Sequence, residues 1–229
     1  MPNGNNVHLW NARLDRLPVE VAELETLLSE DELQRANRFH FRIHRSRFIA
    51  GRGILRLTLA RYLRQNPREL AFIYSEFGKP SLLNSSGCRL EFNAAHCEDR
   101  LIVAVALRPV GIDLEILRAI PELESMAEQV FSAEELTAWG QRAASDKLCL
   151  FLKLWTRKEA LLKGIGFGIA RHVKEVSTFF ETGDVLRIPK ALTQDTWSVH
   201  TEVGSSFIQS VATPGQTPEV TALAADTWV

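Results

Sequence analysis

The sequence of 229 residues carries little net charge and no long apolar segment. Its formal net charge is -1, whereas general nucleic-acid-binding proteins usually carry a large basic excess, so a nucleic-acid partner is not expected. The longest apolar runs, such as 101–107, are far shorter than the roughly 20 residues that a membrane-spanning helix needs. The opening stretch MPNGNNVHLW lacks the basic and apolar regions of a secretory signal. We therefore expect neither nucleic-acid nor membrane association.

Cysteine is also scarce, and several catalytic motifs are missing. The three cysteines, Cys88, Cys97 and Cys149, form no CxxC pair, a pattern that offers no disulfide framework and is typical of a reducing compartment. The sequence contains no GxSxG, HExxH or GxGxxG motif, and its glycine-rich KGIGFG segment lacks the ending of a P-loop. These absences exclude the common hydrolase, zinc-protease and dinucleotide-binding signatures. The remaining expectation is a cytoplasmic protein of the mixed α/β class.

Two segments about a hundred residues apart carry the same helix-start signal. LSEDEL contains a capping box formed by Ser29 and Glu32, and FSAEEL contains another formed by Ser132 and Glu135. In each case a long amphipathic helix is predicted further along the chain. The repetition predicts a weak internal duplication.

The two long helices are predicted at roughly 46–65 and 148–163, from their apolar spacing and their stop signals. Short strands are predicted at 7–10, 70–74, 90–93, 101–107, 110–116, 185–188, 197–201 and 207–213. The seam between the halves is placed near Pro109, which gives half-domains at 1–108 and 109–229. No linker separates them, so they are expected to pack as one body.

A single carboxylate interrupts the apolar face of the second long helix. That face carries Leu148, Phe151, Leu152, Trp155 and Leu162. Glu159 falls in its middle, where a charge is costly unless it is paired or bound to a cation. Two interpretations remain open, a buried ion pair with Lys163 at the i,i+4 spacing and a metal ligand.

Two further carboxylates alternate with apolar residues in the segment VGIDLEI. On a strand, residues two apart project to the same side, so Asp113 and Glu115 would lie about 7 Å apart on one face. A hard divalent cation such as Mg²⁺ would offset their repulsion, because it binds carboxylates together with phosphate oxygens and water. The alternative is a solvated outer face of an edge strand.

Arginines are concentrated in and before the first long helix. They are Arg38, Arg42, Arg45, Arg47, Arg52, Arg56 and Arg61. Arg52 and Arg56 fall near the apolar stripe of the helix, so they need anions or carboxylate partners. Arg47 and Arg61 lie on the other side, available to water or to a phosphate ligand, which suits the planar donor fork of arginine.

Taken together, VGIDLE and FLKLWTRKEALLKGIGFG resemble the paired signature of the 4′-phosphopantetheinyl transferases, G-[IV]-D-x-E followed by W-x-x-K-E-A-x-x-K-x-x-G-x-G. The segments RFIAGRGILR, FGKP, FNAAH and FSAEE are similar to those of the larger, two-domain type that activates peptide and polyketide synthases. The resemblance covers most of 28–168. It implies a pseudo-symmetric pair of α/β half-domains with the active site between them.

The resemblance also assigns roles to individual residues. It implies that Mg²⁺ is held by Asp113, Glu115 and Glu159. It implies that coenzyme A is bound by Arg42, Arg47, Lys79, His96, Lys158 and Lys163. Asp113, Lys158 and Glu159 would be catalytic, with Glu159 accepting the proton of a carrier-protein serine directly or through a metal-bound water. The expected partner is an apo acyl or peptidyl carrier protein, and one chain supplying both halves of the cleft implies a monomer.

The chain departs from the family pattern at two positions next to His96. Ala95 and Cys97 stand where the family often has serine, so a hydroxyl contact to a coenzyme A phosphate is in question. This keeps two alternatives open. One is a non-catalytic coenzyme A or carrier-protein binding module on the same fold. The other is a different Mg²⁺-dependent phosphotransferase.

Overall fold

The computed structural model describes residues 1–83, 90–168, 172–178 and 185–224. The helices in these ranges are α1 (Val21–Glu25), α2 (Glu30–Ala36), α3 (Arg42–Leu63), α4 (Leu123–Val130), α5 (Ala133–Gly140) and α6 (Ala144–Ile165), with a 3-10 turn at Pro67–Glu69. The strands are β1 (Asn6–Arg13), β2 (Phe72–Tyr74), β3 (Pro80–Leu82), β4 (Glu91–Cys97), β5 (Arg100–Ala106), β6 (Gly111–Ile116), β7 (Ser177–Thr178), β8 (Val185–Arg187), β9 (Trp197–Val203), β10 (Phe207–Pro214) and β11 (Glu219–Ala224). The mixed α/β class is confirmed. Cys97 and Cys149 are free thiols, and Cys88 lies outside the described residues.

The first half is a sheet with the long helix α3 against one face. The sheet has the strand order β11-β1-β5-β4, in which β1 runs antiparallel to β5 and β5 antiparallel to β4. Apolar residues of α3, such as Ile49 and Leu59, pack against alternate residues of β1 and β5, such as Trp10 and Val103. Apolar side chains that repeat every 3.6 residues along the helix and every two residues along the strands therefore pack into one core.

The second half repeats this arrangement with α6 against the sheet β6-β10-β9. Its core includes Phe151 and Leu161 of α6 together with Ile208 of β10. The opposite faces of the two sheets meet in a third apolar cluster, where Ile102 of β5 packs with Ile112 of β6. The two halves thus form one body, as expected.

β6 is held tightly between the halves. The backbone N–H of Ile112 donates to Asn93 Oδ1 of β4 at 3.0 Å, which links the second sheet to the edge of the first. On the helix side, a Cβ on Gly111 would clash with the backbone of Ala160 and Gly164. Glycine is required at 111 because the strand and α6 approach backbone to backbone. This contact brings the side chains that follow on β6 next to α6.

Arg52 and Arg56 of α3 have a carboxylate partner, as the sequence analysis expected. Arg56 Nε donates to Glu32 Oε2 at 2.7 Å, and Arg52 bonds to the other oxygen of the same side chain. The Ser29 N–H also donates to Glu32 Oε2, at 3.1 Å. These cations keep the pKa of Glu32 below its usual value although burial opposes them. The capping box of α2 thus also serves as an ion-pair site.

The last described strand of the chain does not join the sheet of the second half. β11 runs parallel to β1, with Val7 beside Val220, so the last described strand belongs to the first sheet. The division at 1–108 and 109–229 remains a prediction, and this pairing shows that the tail crosses it. Within the described part of the chain, no helix is both long and apolar enough to span a bilayer.

Candidate active site

Asp113 and Glu115 lie side by side on β6 and face α6, as their spacing predicts. Their neighbours Ile112 and Leu114 face the other way, into the cluster between the sheets. Asp113 is only 5% exposed, so the alternative of a solvated outer face is wrong. A buried carboxylate of this kind needs a cationic partner.

Lys163 of α6 supplies that partner. Its Nζ donates to Asp113 Oδ1 at 2.6 Å and lies 3.4 Å from Glu159 Oε2, one helical turn away. The ion pair that the sequence left open for Glu159 is therefore present, and it is shared with Asp113. Glu159 is 7% exposed. Two buried acids and one half-buried ammonium thus meet between β6 and α6.

Burial, together with the neighbouring charges, shifts the pKa values of this cluster. Burial, together with the Asp113 charge, raises the pKa of Glu159 to about 7, although Lys163 works against the shift. Burial likewise raises the pKa of Asp113. Burial alone would lower the pKa of Lys163, but the two carboxylates outweigh it and raise that pKa. Groups whose pKa values are shifted by burial together with a specific charged partner are often found at catalytic sites.

Glu115 is held by two donors that sequence analysis did not identify. The indole Nε1–H of Trp155 donates to Glu115 Oε1 at 3.1 Å, and the Cys97 thiol donates to Oε2 at 3.6 Å. Burial raises the pKa of that thiol, which keeps it protonated and able to donate. Trp155 precedes Glu159 by one turn, so its position on the same helix face was a usable signal.

Basic residues border the carboxylates. His96 lies at the end of β4, and burial, with further contributions from the Lys163 and Arg47 charges, lowers its pKa. Arg47 makes a bidentate pair with Asp15, at 3.0 and 2.6 Å. His96, Arg47 and Lys163 thus form a border of basic residues beside the carboxylates, in which Arg47 and Lys163 are already paired with acids.

Lys79 and Arg42 are two further basic residues of the predicted set. Lys79 Nζ donates to the Gly164 carbonyl at 2.7 Å, near the end of α6, and burial lowers its pKa. Arg42 is the first residue of α3 and is exposed, between exposed Phe41 and Ile43. Lys79 thus joins the β2–β3 hairpin to α6, while Arg42 reaches into solvent.

Lys158, for which a role in phosphate binding and catalysis was predicted, has partners other than the carboxylates of β6. Its side chain is 0% exposed and forms an ion pair with Glu135 at 2.5 Å. Its Nζ also donates to the carbonyls of Val130 and Val173, at 2.8 and 2.9 Å. Adjacent helix residues point about 100° apart, so Lys158 and Glu159 serve different surroundings. The family motif alone did not reveal this.

The carboxylates fit a hard divalent cation in their chemistry. Asp113 Oδ2 is buried and has no hydrogen-bond partner among the described residues. Buried carboxylate oxygens normally have partners, so this atom is available to a cationic ligand. The described residues contain no group of three or more His, Cys, Asp or Glu arranged as a metal cluster. The Lys163 ammonium lies against both Asp113 and Glu159.

Ala95 and Cys97, the two departures from the family pattern, point away from the face that carries His96. Ala95 is buried in the cluster between the sheets, where an apolar side chain fits. Cys97 contacts Glu115 as described above.

Comparisons with known proteins agree with this arrangement. Residues 109–216 match the model of the 4′-phosphopantetheinyl transferase superfamily, and 12–108 match that of the N-terminal region of 4′-phosphopantetheinyl transferases. The 4′-phosphopantetheinyl transferase HetI of Nostoc sp. is 43% identical over 171 residues, which cover 73% of this chain and 71% of HetI. The chain belongs to the 4′-phosphopantetheinyl transferase superfamily.

More distant members cover similar or shorter stretches. The transferase psf-1 of Bacillus pumilus is 29% identical over 74% of this chain and 72% of its own length. The transferase AcpT of Salmonella typhimurium is 33% identical over 54% of this chain and 60% of its own. Both halves of the chain thus match models of this family. The family predicted from its two motifs is confirmed.

Proposed function

We propose that this enzyme transfers the 4′-phosphopantetheine arm of coenzyme A to a serine of an apo acyl or peptidyl carrier protein. The products are the holo carrier protein and adenosine 3′,5′-bisphosphate. The observation that carries the proposal is the cluster of buried Asp113 and Glu159 with half-buried Lys163, beside the border of basic residues. Such a cluster combines a proton acceptor with a phosphate-binding cation, the two groups that phosphoryl transfer to an alcohol requires.

Glu159 is the proposed general base. The serine hydroxyl must lose its proton as its oxygen attacks the phosphorus, and an acceptor works best with a pKa near the working pH. In the site without a metal ion the pKa of Glu159 is about 7, which meets this condition, whereas an ordinary glutamate is a weaker base; a cation bound to the same carboxylate would lower this pKa. The nearby Asp113 charge contributes to this shift.

Cations are proposed to bind the donor. Lys163 is placed to bind the pyrophosphate, because a phosphate oxygen can replace one of its carboxylate partners. The border of His96 and Arg47 would receive the 3′-phosphate side, and Lys79 and Arg42 the more distant part of the nucleotide. Arg47 is already oriented by Asp15. Each of these groups orients the donor or offsets its negative charge.

Magnesium is proposed as the resident metal, held by Asp113, Glu115 and Glu159. When bound, it would neutralise charge on the pyrophosphate. The support is the partnerless Asp113 Oδ2 and the hard oxygen character of the set. Trp155 and Cys97 fix the orientation of the Glu115 carboxylate, so its free lone pairs face a constant direction.

The direct test is intact mass spectrometry of an apo acyl carrier protein incubated with the enzyme, coenzyme A and Mg²⁺. We expect the carrier to gain the mass of one phosphopantetheine arm, and EDTA to prevent the gain. A carrier whose serine is replaced by alanine is the control. No gain with several different carriers, despite folded enzyme that binds coenzyme A, would favour the non-catalytic binding module.

We further propose that the enzyme acts as a monomer in the cytoplasm. One chain supplies both the border on α3 and β4 and the carboxylates on β6 and α6. The free thiols of Cys97 and Cys149 suit a reducing compartment. Light scattering across a range of concentrations tests the first statement, and a dimer at all concentrations would contradict it.

A further inference from the structure

The surroundings of Lys158 form a complete hydrogen-bonded unit. The ammonium has three protons, and the structure gives it three acceptors, Glu135, Val130 and Val173. Both oxygens of Glu135 are also used. Oε2 accepts from the Ser132 N–H at 2.9 Å, and Oε1 from the Thr178 N–H at 2.9 Å.

The unit joins three parts of the second half. Val130 and Glu135 belong to the α4–α5 junction, Lys158 to α6, and Val173 and Thr178 to the chain that follows α6. The pair of Glu135 and Lys158, called here the second-half pair, is buried at 2% and 0% exposure. Its bonds therefore fix how α6 sits against its neighbours.

The first half contains an equivalent unit. Arg56 of α3 pairs with Glu32, the capping-box glutamate of α2, and donates to the carbonyls of Pro67 and Leu70 at 2.8 and 2.9 Å. Those carbonyls also belong to the chain that follows the long helix. Glu32 and Arg56 are called here the first-half pair.

The sequence positions of the two pairs match the internal duplication. The long helices begin at Arg42 and Ala144, 102 residues apart. Arg56 and Lys158 are 102 residues apart as well, and the two glutamates 103. A buried cation at this helix position is thus a repeated part of the scaffold. In the first half it is followed by Leu57, which cannot serve a polar site.

In the second half the same position is followed by Glu159. Because neighbouring helix residues differ by about 100° in direction, holding Lys158 against Glu135 sets the rotation of α6 and so the direction of Glu159. We propose that the second-half pair positions Glu159 toward Asp113, and that Lys158 is a positioning residue and not a phosphate ligand. This inference rests on the proposed metal site.

The competing role for Lys158 is unfavourable on this geometry. To reach a phosphate, the Lys158 ammonium would have to break its hydrogen bonds to three acceptors. These acceptors would stay buried, so water could not replace the lost bonds. Glu135 would then remain as a buried, unpaired carboxylate. Lys163, by contrast, reaches the site from the next turn with its Nζ already there.

The test compares metal binding in matched variants. Lys158→Met and Arg56→Met each remove a buried cation from the equivalent position of a long helix. We expect both to unfold at lower urea concentration than wild type. We expect only Lys158→Met to weaken Mn²⁺ binding to the protein alone, about tenfold by calorimetry. Hydrogen exchange should also lose protection at Thr178 in this variant.

Glu135→Gln and the double variant Glu135→Met/Lys158→Met complete the series. We expect Glu135→Gln to weaken Mn²⁺ binding as Lys158→Met does, although Glu135 lies away from the site. The double variant replaces the pair by apolar side chains, so it should fold even if Lys158→Met does not, and its Mn²⁺ binding should still be weakened.

Three results would overturn the inference. Unchanged Mn²⁺ affinity in a folded Lys158 variant would show that the pair does not position the site. Metal-free coenzyme A binding that is weakened by Lys158→Met but not by Glu135→Gln would make Lys158 a phosphate ligand. Wild-type protein that transfers phosphopantetheine without binding Mn²⁺ would remove the metal site, and with it this role for the pair, while the proposed transfer would stand.

Discussion

The two long helices of this protein have the same length and both pack on a sheet. They differ in the partner of a basic residue near the C-terminal end. Each has 22 residues, packs on a sheet, and carries a buried cation paired with a capping-box glutamate. In α6, Lys163 pairs with Asp113 of β6, whereas at the equivalent place in α3 Arg61 lies over the Trp10 ring, 5.5 Å from its centroid. The scaffold is repeated, and the buried carboxylates are not.

The contrast separates structural from chemical charges. Glu32 has two arginine partners, and its pKa is lowered. Glu159 shares one lysine with Asp113, and its pKa is raised. A carboxylate with sufficient cations stabilises the fold, while one with too few destabilises it until a ligand arrives. The second half therefore gives up stability at its site, a trade that the first half does not make.

Removing Asp113 should produce the largest effect. In Asp113→Asn the side chain keeps its shape but loses the charge proposed to hold the metal, so we expect carrier modification to fall about 10³-fold or more. The measurement is the initial rate of mass gain by the carrier at saturating coenzyme A. Glu25→Gln, which breaks the surface pair with Arg45 in the first half, is the control and should keep the wild-type rate. Near-normal activity of Asp113→Asn would refute the metal assignment.

A second comparison uses glycines of the two halves. Gly111→Ala would force a Cβ into the backbone of α6, so we expect a loss of about 3 kcal/mol in the free energy of unfolding. In Gly51→Ala, within α3, the new Cβ would meet no described atom within 4 Å, and the better helix propensity should add about 0.5–1 kcal/mol. Urea unfolding measures both. Equal effects of the two substitutions would show that β6 and α6 can separate.

Much of the fold follows from local sequence signals. The bounds of α3 and α6 were predicted to within a few residues, because each helix combines a 3.6-residue apolar period with a clear stop signal. The structure extends them to Arg42–Leu63 and Ala144–Ile165. The strand β11 was not predicted, because it is defined by parallel pairing with β1 at the other end of the chain. Such long-range pairing leaves little trace in a local pattern.

The site was predicted less completely than the fold. Asp113, Glu159 and Lys163 meet as expected, since their positions follow from strand and helix periods. The buried surroundings of Lys158 were not predicted, because the motif records which residue is present and not which partner it has. Glu135 was predicted as a helix cap, but only tertiary packing brings Lys158 to it.

The two buried glutamates should respond to pH in opposite ways. The pKa of Glu159 is raised from 4.5 to about 7 in the folded protein, so the folded state binds more protons than the unfolded state between these values. Wild-type stability should therefore fall as pH rises through this window. In metal-free protein at pH 8, Glu159→Gln should raise the free energy of unfolding by up to about 3 kcal/mol, and by little near pH 4.5.

For Glu32 the sign is reversed. Its folded pKa lies below 4.5, so its contribution is present above 4.5 and is lost as pH falls through the folded value. Glu32→Gln should therefore lower stability by about 3 kcal/mol at both pH 8 and pH 5, because it leaves a buried arginine unpaired. Urea unfolding in EDTA at these two pH values checks both variants. Destabilisation by Glu159→Gln at pH 8 would contradict the electrostatic contrast between the halves.

The smallest effect concerns the two tryptophans that donate hydrogen bonds in the two halves. Trp155 Nε1 donates to Glu115, whereas Trp10 Nε1 donates to the Tyr62 hydroxyl at 2.8 Å. Trp155→Phe removes a donor that orients a proposed metal ligand, so we expect Mn²⁺ to bind about tenfold more weakly by calorimetry. Trp10→Phe creates a similar loss of ring size and donor but should leave Mn²⁺ affinity unchanged. If both variants bind Mn²⁺ as wild type does, the Cys97 thiol alone suffices to hold Glu115, and Cys97→Ala in the Trp155→Phe background should then weaken the binding.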